Sequence, residues 1–344
     1  MYKYLGLLLL VTSSFLQCKS QVDTSQTPTI VETEKPLIPV KDHYFDGNKN
    51  IESKLGPNTI TRNIIQDQKG NMWFASWEGI VKFDGESFTN MTNKYELDRY
   101  RAFAIIEDRR GMIWIGTVGA GLFTFENNTF KQYTTEDGLA SNTIGCIFED
   151  KNGVIWIGTL DGVNKFENGQ FTTYKTEEGG TNDDNNAITQ DKNGVLWIGS
   201  RGKLSTFNGE TFTEVKNEYD KNYYNVRSVI TAKDGTIWFG GNDGLWSYDG
   251  RTYKQHSTNF VGNIFEDSKG NLFYSESKGD QTYQMTLQKY GFTKAPVKAI
   301  SQQLIHNADG QVFGITEDSN GNIWFGLENG ACRYDGHQFE CFKD

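Results

Sequence analysis

Histidine, cysteine and proline are scarce in this chain of 344 residues, which contains four, four and five of them respectively. The histidines are His43, His256, His306 and His337, and no two of them stand at the spacing of metal ligands. Catalysis requires nucleophiles, bases or metal ligands gathered at one place. The scarcity therefore excludes the common metal centres, and it predicts a protein that is not an enzyme and uses no cofactor.

Basic residues are also too few for two classes of partner. The chain has 34 Lys and Arg against 44 Asp and Glu, which gives a formal charge of −10, and it has no basic stripe. Nucleic-acid binding requires clustered cations that neutralise phosphates, and anionic lipid surfaces attract basic segments. The composition therefore excludes nucleic acid and adsorption to an anionic membrane.

The chain is rich in repetition. The phrase DKNGVIWIGT (150–159) has related copies at 67–76, 108–117, 191–200, 232–241, 267–276 and 318–327. The glycines of these copies recur about every forty residues, which indicates one supersecondary unit stacked repeatedly. Gly follows Asp by three residues and no downstream Glu completes a cage, so these segments are turns and not calcium loops.

Each unit contains four apolar runs separated by turns. In residues 142–174 the runs are NTIGCIFED, VIWIGT, VNKF and FTTYK, joined by KNG, LDG and ENG. Asn-Gly and Asp-Gly supply the positive φ angles that tight hairpins need. One four-stranded sheet cannot hide two apolar faces from water, whereas sheets arranged radially can. The prediction is an all-β fold, a seven-bladed β-propeller of four-stranded antiparallel blades.

The predicted blades fill most of the domain at 41–344. Their approximate bounds are 59–92, 100–134, 142–175, 186–216, 225–257, 261–293 and 311–344. The small residues expected nearest the axis are Asn63, Ala104, Cys146, Ala187, Ser228, Asn263 and Gly314. The six repeated tryptophans, of which Trp156 is one, are assigned to packing between blades. YFDGNKNIES, within 41–58, resembles a closing hairpin and is a candidate outer strand against the last blade, although the C-terminus already supplies a fourth strand there.

The phrases EDRRGMIWIGTVGAGL (107–122) and EDKNGVIWIGTLDGV (149–163) resemble the two-component regulator propeller repeat. The resemblance covers about residues 59–344 and is weakest in the sixth unit, where Phe273 replaces tryptophan. It implies the fold and an extracytoplasmic binding role. The kinase and response regulator that accompany many such propellers do not follow in this sequence, so it implies no signalling activity.

The N-terminus differs in composition from the repeats. Lys3 and the apolar run 5–15 are too short to span a bilayer and indicate a signal peptide at 1–17. Cys18 follows in FLQC, which resembles the lipobox of bacterial lipoproteins, although Gln17 stands where a small residue is usual. An ordinary cleaved signal with a spare cysteine is the alternative. Residues 18–40 are then a lipidated cysteine and a flexible tether, which predicts a lipid-anchored location in a bacterial cell envelope.

The loops at one face of a propeller usually carry its function, because they surround the mouth of the central channel. The loops between second and third strands, with the connections between blades, supply the predicted ligand-binding residues Trp77, Glu78, Tyr100, Arg101, Asp161, Arg201, Tyr223, Tyr224, Asn242, Asp243, Glu328 and Asn329. Trp77 is an aromatic residue outside the packing phase, which favours stacking on a sugar ring or anchoring a protein. Solvated loops that pack on one another are the alternative. TNDDNN (181–186) is a weaker candidate for a cation.

Two cysteines lie on either side of the last hairpin. If its turn is centred on Gly336 and His337, Cys332 and Cys341 face each other and a disulfide is within reach. A turn centred on Asp335 and Gly336 places them on a diagonal. Cys146 is expected to be a buried apolar residue.

These observations predict a non-catalytic propeller that binds a carbohydrate or protein partner at its channel mouth and meets the membrane only through its lipid anchor. A propeller lyase or hydrolase acting on a glycan, with Glu78, Asp161, Tyr100 or Arg101 at the mouth, is the alternative. A structural spacer is the third.

Overall fold

The computed structural model describes residues 50–97, 100–175, 184–278, 281–290, 296–297 and 311–342. The signal peptide, Cys18 and the tether lie outside the described residues.

The described strands form antiparallel sheets, numbered here in chain order. The first contains β1 (Glu52–Ser53), β2 (Thr61–Gln66), β3 (Met72–Ser76), β4 (Gly79–Phe83) and β5 (Phe88–Asn90), and is followed by the one-turn helix α1 (Met91–Lys94). The second contains β6 (Ala102–Glu107), β7 (Ile113–Thr117), β8 (Leu122–Glu126) and β9 (Thr129–Tyr133), and is followed by a 3-10 turn at Thr135–Asp137. The third contains β10 (Ile144–Glu149), β11 (Ile155–Thr159), β12 (Gly162–Glu167) and β13 (Gln170–Tyr174).

The fourth sheet contains β14 (Asn185–Gln190), β15 (Leu196–Ser200), β16 (Leu204–Phe207) and β17 (Phe212–Val215). The fifth contains β18 (Ser228–Thr231), β19 (Ile237–Gly241), β20 (Gly244–Tyr248) and β21 (Tyr253–Ser257). The sixth contains β22 (Val261–Glu266), β23 (Leu272–Lys278), β24 (Gln281–Tyr290) and β25 (Pro296–Val297). The last contains β26 (Phe313–Glu317), β27 (Ile323–Leu327), β28 (Gly330–Tyr334) and β29 (Phe339–Phe342).

Within each sheet the described strands pair in chain order, and among them only β1 departs from this rule, since it pairs with the outer strand β5. The protein is therefore an all-β propeller of four-stranded antiparallel blades, as the repeats predicted. The expectation that the N-terminal segment lies against the last blade is not met by β1, which extends the first sheet through Glu52 opposite Thr89.

The cores lie between neighbouring sheets. One cluster joins Ile64 and Phe74 of the first sheet to Trp324 and Ala331 of the last. A parallel bridge between Ile60 and Gly330 connects the same two sheets. The ends of the repeat array are thus packed against each other, and each sheet is built from one continuous segment of chain.

The repeated aspartate organises the turn between the first two strands of a blade. In the third sheet, Asp150 is 5% exposed, and its Oδ1 accepts hydrogen bonds from the backbone N–H groups of Asn152 and Val154. Its Oδ2 accepts a hydrogen bond from Trp156 Nε1 at 3.2 Å. The same hydrogen bond joins Trp73 to Asp67, Trp114 to Asp108 and Trp324 to Asp318, so in these four sheets the spacing of Asp and Trp serves a hydrogen bond in addition to the packing that the sequence predicted.

The residue before each repeated aspartate links neighbouring sheets. The backbone N–H after the first turn residue, which is Ala232 in the fifth sheet and aspartate in the others, donates to the Glu or Gln side chain of the next sheet in six pairs: Gln68 to Glu107, Arg109 to Glu149, Lys151 to Gln190, Lys233 to Glu266, Ser268 to Glu317 and Ser319 to Gln66. The last pair joins the two ends of the array. In the fifth sheet Thr231 takes this place and donates to the Gln190 carbonyl oxygen at 2.9 Å.

Candidate functional site

A cavity of about 110 Å³ lies on the axis, and its lining includes one equivalent residue in or beside the innermost strand of each sheet. These residues are Arg62, Phe103, Gly145, Asn186, Arg227, Gly262 and Phe313. Each stands one position before a small axial residue that the sequence identified. This position was not singled out from the sequence, although its chemistry varies from sheet to sheet as a binding position would.

Arg62 is held between two aromatic rings. Its Cζ lies 4.4 Å from the centroid of Phe103 and 4.7 Å from that of Phe313. These rings come from the sheets on either side of the first, and each contacts the guanidinium by a cation–π interaction. Burial, and then repulsion from Arg227, lower the pKa of Arg62 to about 9, while the Asp184 carboxylate opposes the shift.

Arg227 is the second cation of the cavity. Its Nη1 donates to Asn186 Oδ1 at 3.4 Å. Burial lowers the pKa of Arg227; Asp184 favours its charged form and Arg201 disfavours it. Asp184 Oδ2 pairs with Arg201 Nη2 at 3.1 Å. Three guanidinium groups and one carboxylate therefore govern the charge of the channel, although the whole chain is acidic.

A wider depression of about 370 Å³ adjoins the cavity. Its lining is Arg201, Tyr224, Asn225, Arg227, Asn242, Phe260 and Gln311, of which Arg227, Phe260 and Gln311 also line the cavity. Three predicted residues, Arg201, Tyr224 and Asn242, are thus brought together here. Tyr224 is 53% exposed, so its ring is accessible at the rim.

The loop that carries Tyr224 is fixed by its neighbours. The Tyr224 N–H donates to Asp243 Oδ2 at 2.5 Å, and Asn225 Nδ2 donates to Asn242 Oδ1 at 2.9 Å. Gly241 allows this approach, because a Cβ there would lie 2.4 Å from the Asn225 carbonyl oxygen. Hydrogen bonds within the rim therefore connect the segments that carry three predicted residues, Tyr224, Asn242 and Asp243.

Several predicted carboxylates hold backbone groups of the rim. Glu78 Oε1 accepts from the Asn58 N–H and Glu328 Oε1 from the Gln311 N–H, each at 3.2 Å. Like Asp243, they fasten the chain entering their own sheet. Asp161 is exposed, and its N–H donates to Thr159 Oγ1 at 3.2 Å.

Most of the aromatic residues predicted at the rim pack against other side chains of the protein, which their sequence positions did not suggest. Arg101 Cζ lies 4.1 Å from the centroid of the half-buried Trp77 ring, so one face of that ring is covered. Tyr223 is 1% exposed and packs against Phe239, and Tyr100 packs against the core between the first two sheets. Tyr223 therefore supports the loop of Tyr224 from below, which corrects its assignment to the ligand surface.

Asn329 is exposed in the rim loop of the last sheet. The TNDDNN segment is described only from Asp184, which pairs with Arg201, and Asn185 is buried, donating from Nδ2 to the carbonyl oxygens of Thr159 and Gly162. The three described members of this segment, Asp184, Asn185 and Asn186, are therefore engaged within the protein, since Asn186 Oδ1 accepts from Arg227 Nη1. Among the described residues, no group of three or more His, Cys, Asp or Glu side chains is placed to hold a metal.

Cys332 and Cys341 are bonded directly across β28 and β29. The turn is centred on Gly336 and His337, since Asp335 N–H donates to the Gln338 carbonyl oxygen. Cys146 is a free buried thiol that lines the axial cavity, and burial raises its pKa to about 12. It is therefore a neutral group of the channel wall.

His256 lies on an outer strand, β21. Its Nε2 is 2.7 Å from Ser247 Oγ, and its ring centroid is 4.5 Å from that of Trp238. Burial lowers the pKa of His256 to about 4.

The described helices include none that is long and apolar enough to cross a membrane.

The fold and the axial site define a β-propeller with a polar, cationic channel mouth. Four segments, 54–78, 138–161, 179–202 and 308–329, match the family model of the two component regulator propeller. The chain therefore contains two component regulator propeller repeats. No curated protein sequence matches it.

Solved structures share the fold. The extracellular domain assigned to a hybrid two component system from B. thetaiotaomicron is 21% identical with a TM-score of 0.67, over 81% of this chain and 39% of that chain. This chain thus spans about two fifths of that domain. A catalytically inactive virginiamycin B lyase from Staphylococcus aureus, with quinupristin, is 15% identical with a TM-score of 0.62. The match covers 80% of this chain and 96% of the lyase chain. The WD40 propeller of Doa1 is 14% identical with a TM-score of 0.58, over 80% and 92%.

Proposed function

We propose that this protein is a non-catalytic binding propeller of the bacterial cell envelope, which holds a carbohydrate or protein partner at its channel mouth. The observation that carries the proposal is the depression where Arg201, Tyr224 and Asn242 meet beside the axial cavity. A concave surface with an exposed aromatic ring, amides and a cation has the composition of a recognition site.

We infer seven blades in a closed ring. The packing of Ile64 and Phe74 against Trp324 supports closure, as does the hydrogen bond from Ser319 N–H to Gln66 Oε1 at 2.6 Å. A closed ring gives the rim loops a fixed frame, because each sheet is covered on both faces by its neighbours.

An extracytoplasmic location and an anchor at Cys18 complete the proposal. They rest on the apolar run after Lys3, on the FLQC motif and on the two component regulator propeller repeats. The similarity in fold to a propeller described as an extracellular domain agrees with this location. Labelling with a fatty-acid analogue, compared with a Cys18→Ala variant, tests the anchor; an unlabelled parent chain would exclude lipidation.

Binding is tested with the full chain on a glycan array and in pull-downs from envelope fractions. We expect Tyr224→Ala to lower the affinity for the captured ligand about tenfold, since loss of a stacking ring or hot-spot tyrosine costs on the order of 1–2 kcal/mol. Tyr219→Ala is the matched control, because Tyr219 is 73% exposed on the same connection and does not line the depression. A ligand whose affinity responds to neither variant would place recognition elsewhere.

A glycan lyase or hydrolase is the second candidate. The similarity in fold to virginiamycin B lyase, over almost the whole of that chain, favours it. The engagement of Glu78, Asp243 and Glu328 with backbone N–H groups weighs against it, because a general acid or base must reach the substrate. Release of unsaturated products or reducing ends from a polysaccharide panel, abolished by substitution at the mouth, would replace the binding proposal with this one.

A further inference from the structure

The axial cavity concentrates positive charge in an acidic protein. Arg62 and Arg227 both line it, and Arg201 lines the adjoining depression. Neither lining includes an acidic residue among the described parts of the chain. The Asp184 carboxylate forms an ion pair with Arg201. The channel therefore carries uncompensated positive charge in a partly desolvated place, which attracts an anion.

The Arg62 guanidinium already contacts Phe103 and Phe313, whose ring centroids lie 4.4 and 4.7 Å from its Cζ. A stacked guanidinium keeps its N–H groups in the plane between the rings, where they bond to an acceptor that approaches edge-on. Among the described residues, the Arg62 side chain forms neither an ion pair nor a hydrogen bond. The rings therefore hold the guanidinium at the cavity wall, where its N–H groups can donate to a bound acceptor.

The sizes of the two spaces separate a small acidic group from a larger body. The axial cavity of about 110 Å³ holds several waters or one small anionic group. The depression of about 370 Å³ holds a larger ring and offers Tyr224 and Phe260 as aromatic surfaces, with Asn225, Asn242 and Gln311 as amides. Aromatic surfaces and amides suit a ring bearing several hydroxyl groups.

We propose that the channel mouth binds an acidic saccharide, with the carboxylate of a hexuronate entering the axial cavity between Arg62 and Arg227 and the sugar ring resting in the depression beside Tyr224. A planar carboxylate matches the guanidinium fork. This inference rests on the proposed function for the location of the ligand, and it adds the chemical class.

Isothermal titration calorimetry with the full chain tests it. The probes are sodium galacturonate and digalacturonate, with galactose and digalactose as neutral matches, and sodium phosphate and a Gly-Asp dipeptide as other sources of an oxyanion. We expect digalacturonate to bind with a Kd below about 1 mM, and its neutral match at least about tenfold more weakly. No heat from either uronate, or equal affinity for the acidic and neutral saccharides, overturns the inference.

Variants locate the anion. Arg62→Met and Arg227→Met are each expected to weaken uronate binding about tenfold or more, since each removes a charge-assisted pair. Arg333→Met is the matched control, because Arg333 also stacks on aromatic rings, at 5.5 Å from Trp324, but on the outer part of the last sheet. Arg62→Lys keeps the charge without the fork, so we expect an intermediate loss, and it replaces Arg62→Met if that variant fails to unfold cooperatively.

The other outcomes separate the two proposals. Tighter binding of phosphate or Gly-Asp than of digalacturonate refutes the saccharide assignment. Uronate binding that needs Arg62 and is unchanged in Tyr224→Ala upholds the anion site and refutes recognition at the rim. A neutral glycan that needs Tyr224 and is unaffected by Arg62→Met upholds the proposed function and refutes the anion site.

Discussion

The hydrogen bond between the repeated tryptophan and the turn aspartate should be measurable by comparing two blades. In the third sheet, Trp156 Nε1 is the side-chain donor to Oδ2 of the buried Asp150. In the last sheet, Asp318 Oδ2 accepts from both Trp324 Nε1 and Asn322 Nδ2, each at 2.8 Å. Replacing tryptophan by phenylalanine therefore leaves an unpaired carboxylate oxygen in the third sheet and a paired one in the last.

The expected magnitudes follow from this difference. Both substitutions remove part of a buried aromatic ring, which we expect to cost about 1–2 kcal/mol, since complete truncation to alanine costs about 3–5 kcal/mol. Trp156→Phe also leaves an unpaired buried carboxylate oxygen, at about 1.5–3 kcal/mol. Trp156→Phe should thus destabilise the protein by about 1–2 kcal/mol more than Trp324→Phe, once the hydrogen bond lost from Trp324 is included.

The sixth sheet provides the rescue. There Phe273 replaces tryptophan, and Asn271 Nδ2 donates to Asp267 Oδ2 at 2.6 Å. Val154 occupies the position of Asn271 in the third sheet, so the double variant Val154→Asn/Trp156→Phe supplies the missing donor. We expect it to recover about 1 kcal/mol relative to Trp156→Phe alone.

Thermal unfolding followed by near-UV circular dichroism is the assay. A difference of 1–2 kcal/mol corresponds to about 2–6 °C in Tm for a domain of this size class. Equal Tm values for the two phenylalanine variants, together with no recovery in the double variant, would refute the role assigned to the hydrogen bond and leave packing as the only function of the repeated tryptophan.

Reduction of Cys332–Cys341, or the double serine variant, should lower stability by about 2–3 kcal/mol, from the entropy of a short loop, measured by urea unfolding. Gln66→Ala should cost about 1 kcal/mol and hasten amide exchange at Ser319, because it breaks the link that joins the two ends of the array. Burial alone would raise the pKa of Asp318, but its hydrogen-bond donors hold that pKa below the ordinary value. Its contribution to stability is therefore full above about pH 4 and is lost as the pH falls through the folded pKa, so Asp318→Asn should flatten the decline of Tm in acid.

Each of these predictions has its control. The mass of the denatured chain should rise by about two hydrogens on reduction, and an unchanged mass would contradict the disulfide. Gln190→Ala breaks an equivalent link between sheets that the chain also connects, so it should leave exchange at Ser319 unaltered. A parallel decline of Tm in Asp318→Asn and the parent chain would mean that another group governs acid unfolding.

The sequence by itself determined the repeat, the four strands of a blade and the turns between them. These features are local: Asp150 and Gly153 fix a turn within a few residues, and alternation sets which side chains are buried. The spacing of Cys332 and Cys341 restricted their partner to two arrangements, because only one hairpin lies between them.

The rim was less readable, because one loop position supports several roles. Glu78 and Glu328 stand where a ligand contact was expected, but their carboxylates accept hydrogen bonds from backbone N–H groups of the segment that leads into their own sheet. Tyr223 and Tyr224 are adjacent in sequence, yet one is 1% and the other 53% exposed. A change of direction by one residue in an irregular connection reverses burial, and hydrophobic periodicity does not extend into such a segment.

Only the tertiary structure decided what faces the axis. Arg62, Phe103 and Phe313 are far apart in the chain, and their contact exists because the first sheet lies between the second and the last. The position before each small axial residue looked like an ordinary strand position within any one repeat. Its meaning depends on ring closure, since Phe313 of the last repeat meets Arg62 of the first only when the ends of the array pack together, and that arrangement is a property of the whole chain.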